Sequence, residues 1–205
     1  MVFSSPYFSR RMALQLLLGF SSGLPYLLVF STLSLRLREA GLSLTAIGVF
    51  SLVKAPYTFK VFWAPLLDRF HVPVLGSLLG QRRAFAVLFQ AGLIVCLCGM
   101  GAADPLVNID MLAFWAIGVA LCSASQDVVL DAYRSERLAE GELSAGAAVF
   151  VTGYRIALLV AGAGATGLAD SVSWSEVYYA MAAIQGVGIL AVLFADEPKD
   201  QRGTN

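Results

Sequence analysis

Long apolar runs broken by short polar ones set the pattern of this chain. Stretches at 13–35, 44–66, 84–103, 111–131, 146–169 and 176–195 are dominated by Leu, Val, Ile, Phe, Ala and Gly. A helix rises about 1.5 Å per residue, so roughly 20 such residues cross a hydrocarbon layer of about 30 Å. The pattern therefore predicts six membrane-crossing helices. The runs at 13–35, 84–103 and 176–195 carry no charge inside their polar edges, whereas the other three hold Lys54 and Lys60, Asp127 and Asp131, and Arg155. The first run is longer than the roughly 7–15-residue apolar part of a signal peptide, so it reads as a retained span.

The polar intervals orient the bundle. With the N-terminus in the cytoplasm, that side collects Arg10, Arg11, Arg69, Arg82, Arg83, Arg134, Arg137, Lys199 and Arg202, while the outer loops hold only Arg36 and Arg38. Cytoplasmic loops of membrane proteins are enriched in Lys and Arg, so both termini are expected inside. The outer loops are then 36–43, 104–110 and 170–175, the inner ones 67–83 and 132–145, and 196–205 begins a central cytoplasmic loop. Trp63, Trp115 and Trp174 fall at span ends, where amphipathic rings suit the interface.

Composition agrees and excludes other classes. Of 205 residues 58% are hydrophobic and 14% charged, against about 25% charged in a soluble domain. Lys and Arg number 14 and so do Asp and Glu, leaving no basic excess for a nucleic-acid partner. Cys96, Cys98 and Cys122 lie inside apolar runs and the single histidine, His71, is remote from them. No metal site, cofactor or enzyme activity is expected. The fold class is an all-α integral membrane protein, one six-helix domain over 1–205.

Charges inside spans are costly and by default face a cavity or one another. Asp127 and Asp131 are four residues apart, about 40° on a helix, and Arg134 continues their face. Arg155 enters the fifth span from the same side as Asp127, and consecutive helices commonly pack as hairpins, so Asp127 and Arg155 are expected to pair. The pair reads either as a static bond fixing register or as a site for a proton or an anionic group. Lys54 and Lys60 are about 600° apart and face different directions, with Pro56 interrupting the helix between them. Lys60 is near enough to the inner end to snorkel; Lys54, near the midplane, needs an acid partner. Gly19, Gly23 and Pro25 suggest a close contact or a kink lining a cavity. The row Gly153, Ala157, Ala161, Ala165 and Ala169 lets a neighbouring helix approach.

Ala64-Pro-Leu-Leu-Asp68-Arg69, followed by Gly80-Gln-Arg82-Arg83, is similar to the loop signature of the major facilitator superfamily. With Gly19-Phe-Ser-Ser-Gly-Leu-Pro25, Ile47-Gly-Val-Phe-Ser-Leu52, Ser125-Gln-Asp-Val-Val-Leu-Asp-Ala-Tyr-Arg134 and Gly153-Tyr-Arg155, the chain resembles the AmpG muropeptide permease family across 12–198. The resemblance implies one six-helix half of a proton-coupled importer of anhydromuropeptides, small cell-wall fragments, in a bacterial inner membrane. Its partners would be substrate, protons, the lipid bilayer and a second half-transporter or second copy, since such carriers place their site between two halves. It adds Gln126 and Tyr154 to Asp127, Asp131, Arg155, Lys54 and Lys60 as the substrate and proton pathway. Asp68, Arg69, Arg82, Arg83 and Arg134 would form a cytoplasmic gate. In that scheme an anionic substrate takes Arg155 and releases Asp127 to accept a proton. The alternatives are a non-transporting half or membrane interaction protein, a related acetyl-CoA-type transporter, or an Asp-x-x-x-Asp membrane enzyme. The last is disfavoured because Ser123-Ala-Ser-Gln-Asp127 stands where head-group transferases carry Asp-Gly-x-x-Ala-Arg.

The orientation is testable by reporter fusions. Fusions after Leu106 and Ser173 should report the outer compartment and fusions after Ser77 and Gly141 the inner one; an outer signal at Gly141 would overturn the fourth and fifth spans.

Overall fold

The computed structural model describes residues 9–70 and 72–195, apart from the side chains of Asp68 and Val74. All regular structure among them is helical. Helix α1 (Arg10–Val29) starts where the Ser9 hydroxyl accepts a bond from the Met12 amide, filling a donor that the first turn leaves open. It runs through Pro25 and breaks at Phe30, whose non-helical backbone hands the chain to α2 (Ser31–Glu39). The first half of the expected outer loop at 36–43 is therefore helix. Gly41, at φ +87°, supplies the left-handed turn that follows α2.

The expected second span is not one helix but three pieces: α3 (Leu44–Phe50), a 3-10 turn (Ser51–Lys54) and α4 (Ala55–Arg69). Pro56 explains the join. It has no amide to offer the Leu52 carbonyl, and the Ala55 amide bonds that carbonyl instead, tightening the turn. In the first turn of α4 the missing amide costs nothing. After α5 (Pro73–Leu79) come α6 (Gln81–Ala102) and α7 (Ile109–Arg137). The fifth crossing is α8 (Leu143–Leu159), a π-helical turn (Val160–Gly164) and α9 (Ala165–Ala169). Last is α10 (Trp174–Phe194), opened by a reciprocal Ser173–Glu176 cap. Five helical stretches among the described residues are long and apolar enough to cross a membrane; the segmented 44–69 stretch is the sixth crossing expected from sequence.

Helix α1 is the centre of the bundle. It packs along α8 and also touches α10 and α7, while α6 lies between α7 and α10, and α4 flanks α7. The α1–α8 seam needs small residues on both sides. A methyl on Gly153 would collide with the Leu16 carbonyl, one on Gly19 with the Phe150 carbonyl, and one on Gly23 with the Tyr154 carbonyl. Ala157, Ala161 and Ala165 continue this row, fully buried, as the four-residue repeat predicts. Helices α6 and α7 approach through a reciprocal arrangement in which Gly92 faces the Cys122 sulfur and Gly118 faces the Cys96 sulfur.

Arginines hold the helix ends. Arg36, expected in an outer loop, is 4% exposed. It donates to the carbonyls of Met100 (2.6 Å) and Ala103 (2.7 Å) at the end of α6, with the Tyr178 ring 5.1 Å away. Those carbonyls have no partner within their own helix and carry the negative end of its dipole, which suits a buried guanidinium. At the opposite end, Arg83 donates to the Val192 and Leu193 carbonyls and Arg10 to that of Phe194, closing α10.

Gly153→Val should lower stability in detergent by about 1–3 kcal/mol, because the side chain meets backbone that cannot yield. Gly48→Ala, where an added methyl meets nothing within 4 Å, should stay within about 0.5 kcal/mol of the parent in the same melts.

Candidate functional site

Asp127 lies on α7 about ten residues from its Arg137 end, and two other helices reach it. From α1, the buried Ser22 hydroxyl donates to Oδ1 at 2.5 Å; from α4, the Lys60 ammonium stands 3.9 Å from Oδ2. The side chains of Lys60 and Asp127 are 33% and 19% exposed, so the pair opens to one side. This corrects the pairing expected from sequence. Arg155 is exposed on the face of α8 turned away from Gly153 and α1, and forms no ion pair with any described residue. The physical reason is the α1–α8 seam: α1 wedges between α7 and α8, so these consecutive helices make no hairpin. The expected snorkelling of Lys60 is likewise replaced by a bond inward to Asp127.

The other lysine finds an aromatic ring instead of an acid. Lys54 places its ammonium 4.6 Å from the centre of the Phe30 ring, joining the break in the first span to the 3-10 turn of the second. Phe30 stacks on Tyr26 at 4.1 Å, Tyr57 meets both rings edge-on at 5.6 Å, and Tyr154 lies 6.3 Å from Tyr26. Tyr154 thus joins the aromatic group beside Asp127, while its neighbour Arg155 points elsewhere. Gly23 is buried against the Tyr154 backbone, and Pro56 sits in the first turn of α4, just after the 3-10 turn that ends at Lys54.

A second polar group lies deeper, of which sequence reasoning named Gln126 and missed Ser21, Gln90 and Gln185. The amides of Gln90 on α6, Gln126 on α7 and Gln185 on α10 all donate to the Ser21 hydroxyl on α1, at 3.3, 3.4 and 2.8 Å. All three glutamines are 0% exposed. Gln126, expected in the pathway, is therefore part of an interhelical node behind Asp127. Gln185 also bonds the Ser21 carbonyl at 3.1 Å. Pro25, four residues on, has no amide to fill that carbonyl, so a side chain does. The signal was present in the sequence as lone glutamines inside apolar spans.

Toward the Arg137 end of α7, the exposed Asp131 is bonded to Arg134 (2.9 Å), whose guanidinium also covers the Phe150 ring at 4.8 Å. Arg82 grips Glu136 through Nε and Nη2, the shortest contact being 2.6 Å. Arg82 and Arg83 thus tie α6 to α7 and α10. Arg69 is exposed at the end of α4, and the side chain of Asp68 lies outside the described residues.

Comparison with known proteins places this arrangement. Residues 7–205 match the Major Facilitator Superfamily. The anhydromuropeptide permease of Escherichia coli K12 is 41% identical over 191 residues, which are 93% of this chain and 38% of that protein. A Haemophilus influenzae protein is 39% identical over 98% of this chain and 47% of its own length. A Rickettsia typhi protein bearing the AmpG 3 name is 36% identical over 92% of this chain and 46% of its own. The chain spans less than half the length of each of these relatives.

A hydrogen bond to a charged group is worth about 1.5–3 kcal/mol. Ser22→Ala should cost about that much in the parent chain and much less in an Asp127→Asn background, the difference being the bond itself in a double-mutant cycle read by unfolding in detergent.

Proposed function

The chain belongs to the Major Facilitator Superfamily, and from that we propose that it forms one half of a proton-coupled importer of anhydromuropeptide-like fragments across a bacterial inner membrane. In this reading both termini are cytoplasmic, and a second half, or a second copy, supplies the other wall of the cavity. Phe59, Phe62 and Leu66 form one exposed apolar face of α4, which suits lipid as well as a second half. The permease activity named for the E. coli relative supports the substrate class.

The observation that carries the mechanism is the half-open pair of Asp127 and Lys60. Lys60 beside it favours the charged form of the carboxylate. An anionic substrate entering from the open side competes for the ammonium, and Asp127, released, takes up a proton. Substrate and proton then occupy the site together, which is the condition for symport. The cation that trades partners is thus Lys60, whereas sequence alone pointed to Arg155. Arg155, exposed and without an acid among the described residues, and Lys54, resting on Phe30, remain as further cations for anionic groups of the substrate. Asp131, bonded to Arg134 one turn away, is the outlet for the proton toward the cytoplasm.

The Asp-x-x-x-Asp enzyme reading gains no support from these contacts. Asp127 is turned to Ser22 and Lys60 and Asp131 to Arg134, so the two carboxylates answer different cations.

A charge swap tests the mechanism. Asp127→Lys combined with Lys60→Asp should give inserted, folded protein, because a pair is retained, but no uptake of labelled anhydromuropeptide in cells lacking their own permease. Uptake by the swapped protein would reduce the pair to a structural bond. A parent chain that inserts but takes up nothing, alone or with a second half, would leave the interaction-protein reading.

A further inference from the structure

Two hydroxyls beside Asp127 are buried and unsatisfied. Ser123 lies on α7 one turn from Asp127 toward the Ile109 end, 1% exposed, and its Oγ makes no hydrogen bond. Tyr57, on α4, buries its Oη equally without a partner. Tyr57 stands one turn from Lys60 on α4 and Ser123 one turn from Asp127 on α7, so the packing of these two helices around the Lys60–Asp127 pair sets the two hydroxyls next to each other and to the carboxylate. Leaving a buried hydroxyl unpaired is costly, and Phe and Ala would fill the same space without that cost. The ring of Tyr57 is held edge-on by Tyr26 and Phe30, both 5.6 Å away, so its hydroxyl is aimed rather than swinging.

We infer that Tyr57 and Ser123 form the entry half of the proton path to Asp127. The inference rests on the proton-coupled reading above and names residues that the pairing with Lys60 does not use. A hydroxyl is both donor and acceptor, which a relay requires and a lysine lacks. A water is the natural filler for polar atoms without partners. With one water joining Tyr57 to Ser123 and another joining Ser123 to the carboxylate, a proton delivered to Tyr57 Oη displaces the phenol's own proton to the first water, which passes one of its protons to Ser123 Oγ. The serine proton passes to the second water, and one of that water's protons passes to Asp127. Each oxygen gains one O–H bond and loses one, and the net change is one proton moved from solvent to the carboxylate. The geometry gives Asp127 two sides: Ser123 and Tyr57 toward the Ile109 end of α7, Asp131 and Arg134 toward the Arg137 end. The titratable and charged groups around this corner are Tyr26 from α1, Lys60 from α4, Tyr154 from α8 and Lys54 from the 3-10 turn. None of them links Tyr57 to Asp127 by a hydrogen bond among the described residues.

The test separates proton movement from substrate movement. The protein is reconstituted into proteoliposomes with labelled anhydro-muramyl tripeptide as probe. Accumulation driven by an imposed proton gradient is compared with exchange of internal for external substrate, which needs no net proton transfer. Tyr57→Phe keeps the ring and its aromatic contacts, and Ser123→Ala keeps the volume of the turn. In either variant, accumulation should fall about tenfold or more, the lower end of what a positioned proton-transfer group contributes. Exchange should stay within about twofold of the parent, since ground-state binding is untouched. Unchanged accumulation in Tyr57→Phe overturns the relay. So does an equal loss of accumulation and exchange, which would assign the residue to packing alone. Failure of the transport reading looks different: the parent protein itself neither accumulates nor exchanges the probe.

Discussion

The contact that governs this bundle is the close approach of α1 and α8. Three glycines, Gly19, Gly23 and Gly153, face backbone carbonyls across that seam, and none could carry even a methyl without moving a helix. Helix α7 packs along α1 and touches α8 only in a few places, among them Arg134 over the Phe150 ring. The position of Asp127 follows: its carboxylate faces Ser22 on α1 and Lys60 on α4, and Arg155 is left on the outer face of α8. A charge pattern is thus set by residues that have no charge and almost no side chain.

Reading the sequence recovers the helices better than their neighbours. The length of the apolar runs is fixed by the thickness of the hydrocarbon, so the crossings at 84–103, 111–131 and 176–195 lie within a few residues of α6, α7 and α10. Which helices touch is not a local property. The rule that consecutive helices pair led from Asp127 to Arg155, although the small-residue row on α8 and the paired glycines of α1 already pointed to each other. The segmented second crossing was marked by Pro56, but its consequence lay one turn upstream, at the Leu52 carbonyl. Gln90 and Gln185 were legible only as single polar residues in apolar surroundings; their convergence on Ser21 needs three dimensions.

The breaks in the helices share a logic. Phe30 interrupts the first crossing, Ser51–Lys54 the second and Val160–Gly164 the fifth. Each interruption frees backbone groups that lipid cannot satisfy, and such segments persist only where protein covers them. Here the Thr32 hydroxyl bonds the Ala161 carbonyl at 2.7 Å and the Lys54 ammonium lies over Phe30. Irregular backbone is thereby gathered next to the aromatic group around Tyr26 and Tyr57, beside the one mid-helix carboxylate that faces two other helices.

The bond from Gln185 to the Ser21 carbonyl has a consequence in time. Ribosomes release α1 well before α10, and chains begin to fold from the N-terminal side as they emerge. Pro25 leaves that carbonyl bare from the moment α1 enters the bilayer, and the side chain that answers it is about 160 residues further along, on α10. Until then the newborn helix carries an open acceptor, together with the two serines beside it, in a medium with nothing to donate. Helix α1 is therefore kept unfinished until α10 arrives. A chain interrupted before α10 would expose that want at its centre, where quality-control machinery that senses polar groups in the membrane could recognise it.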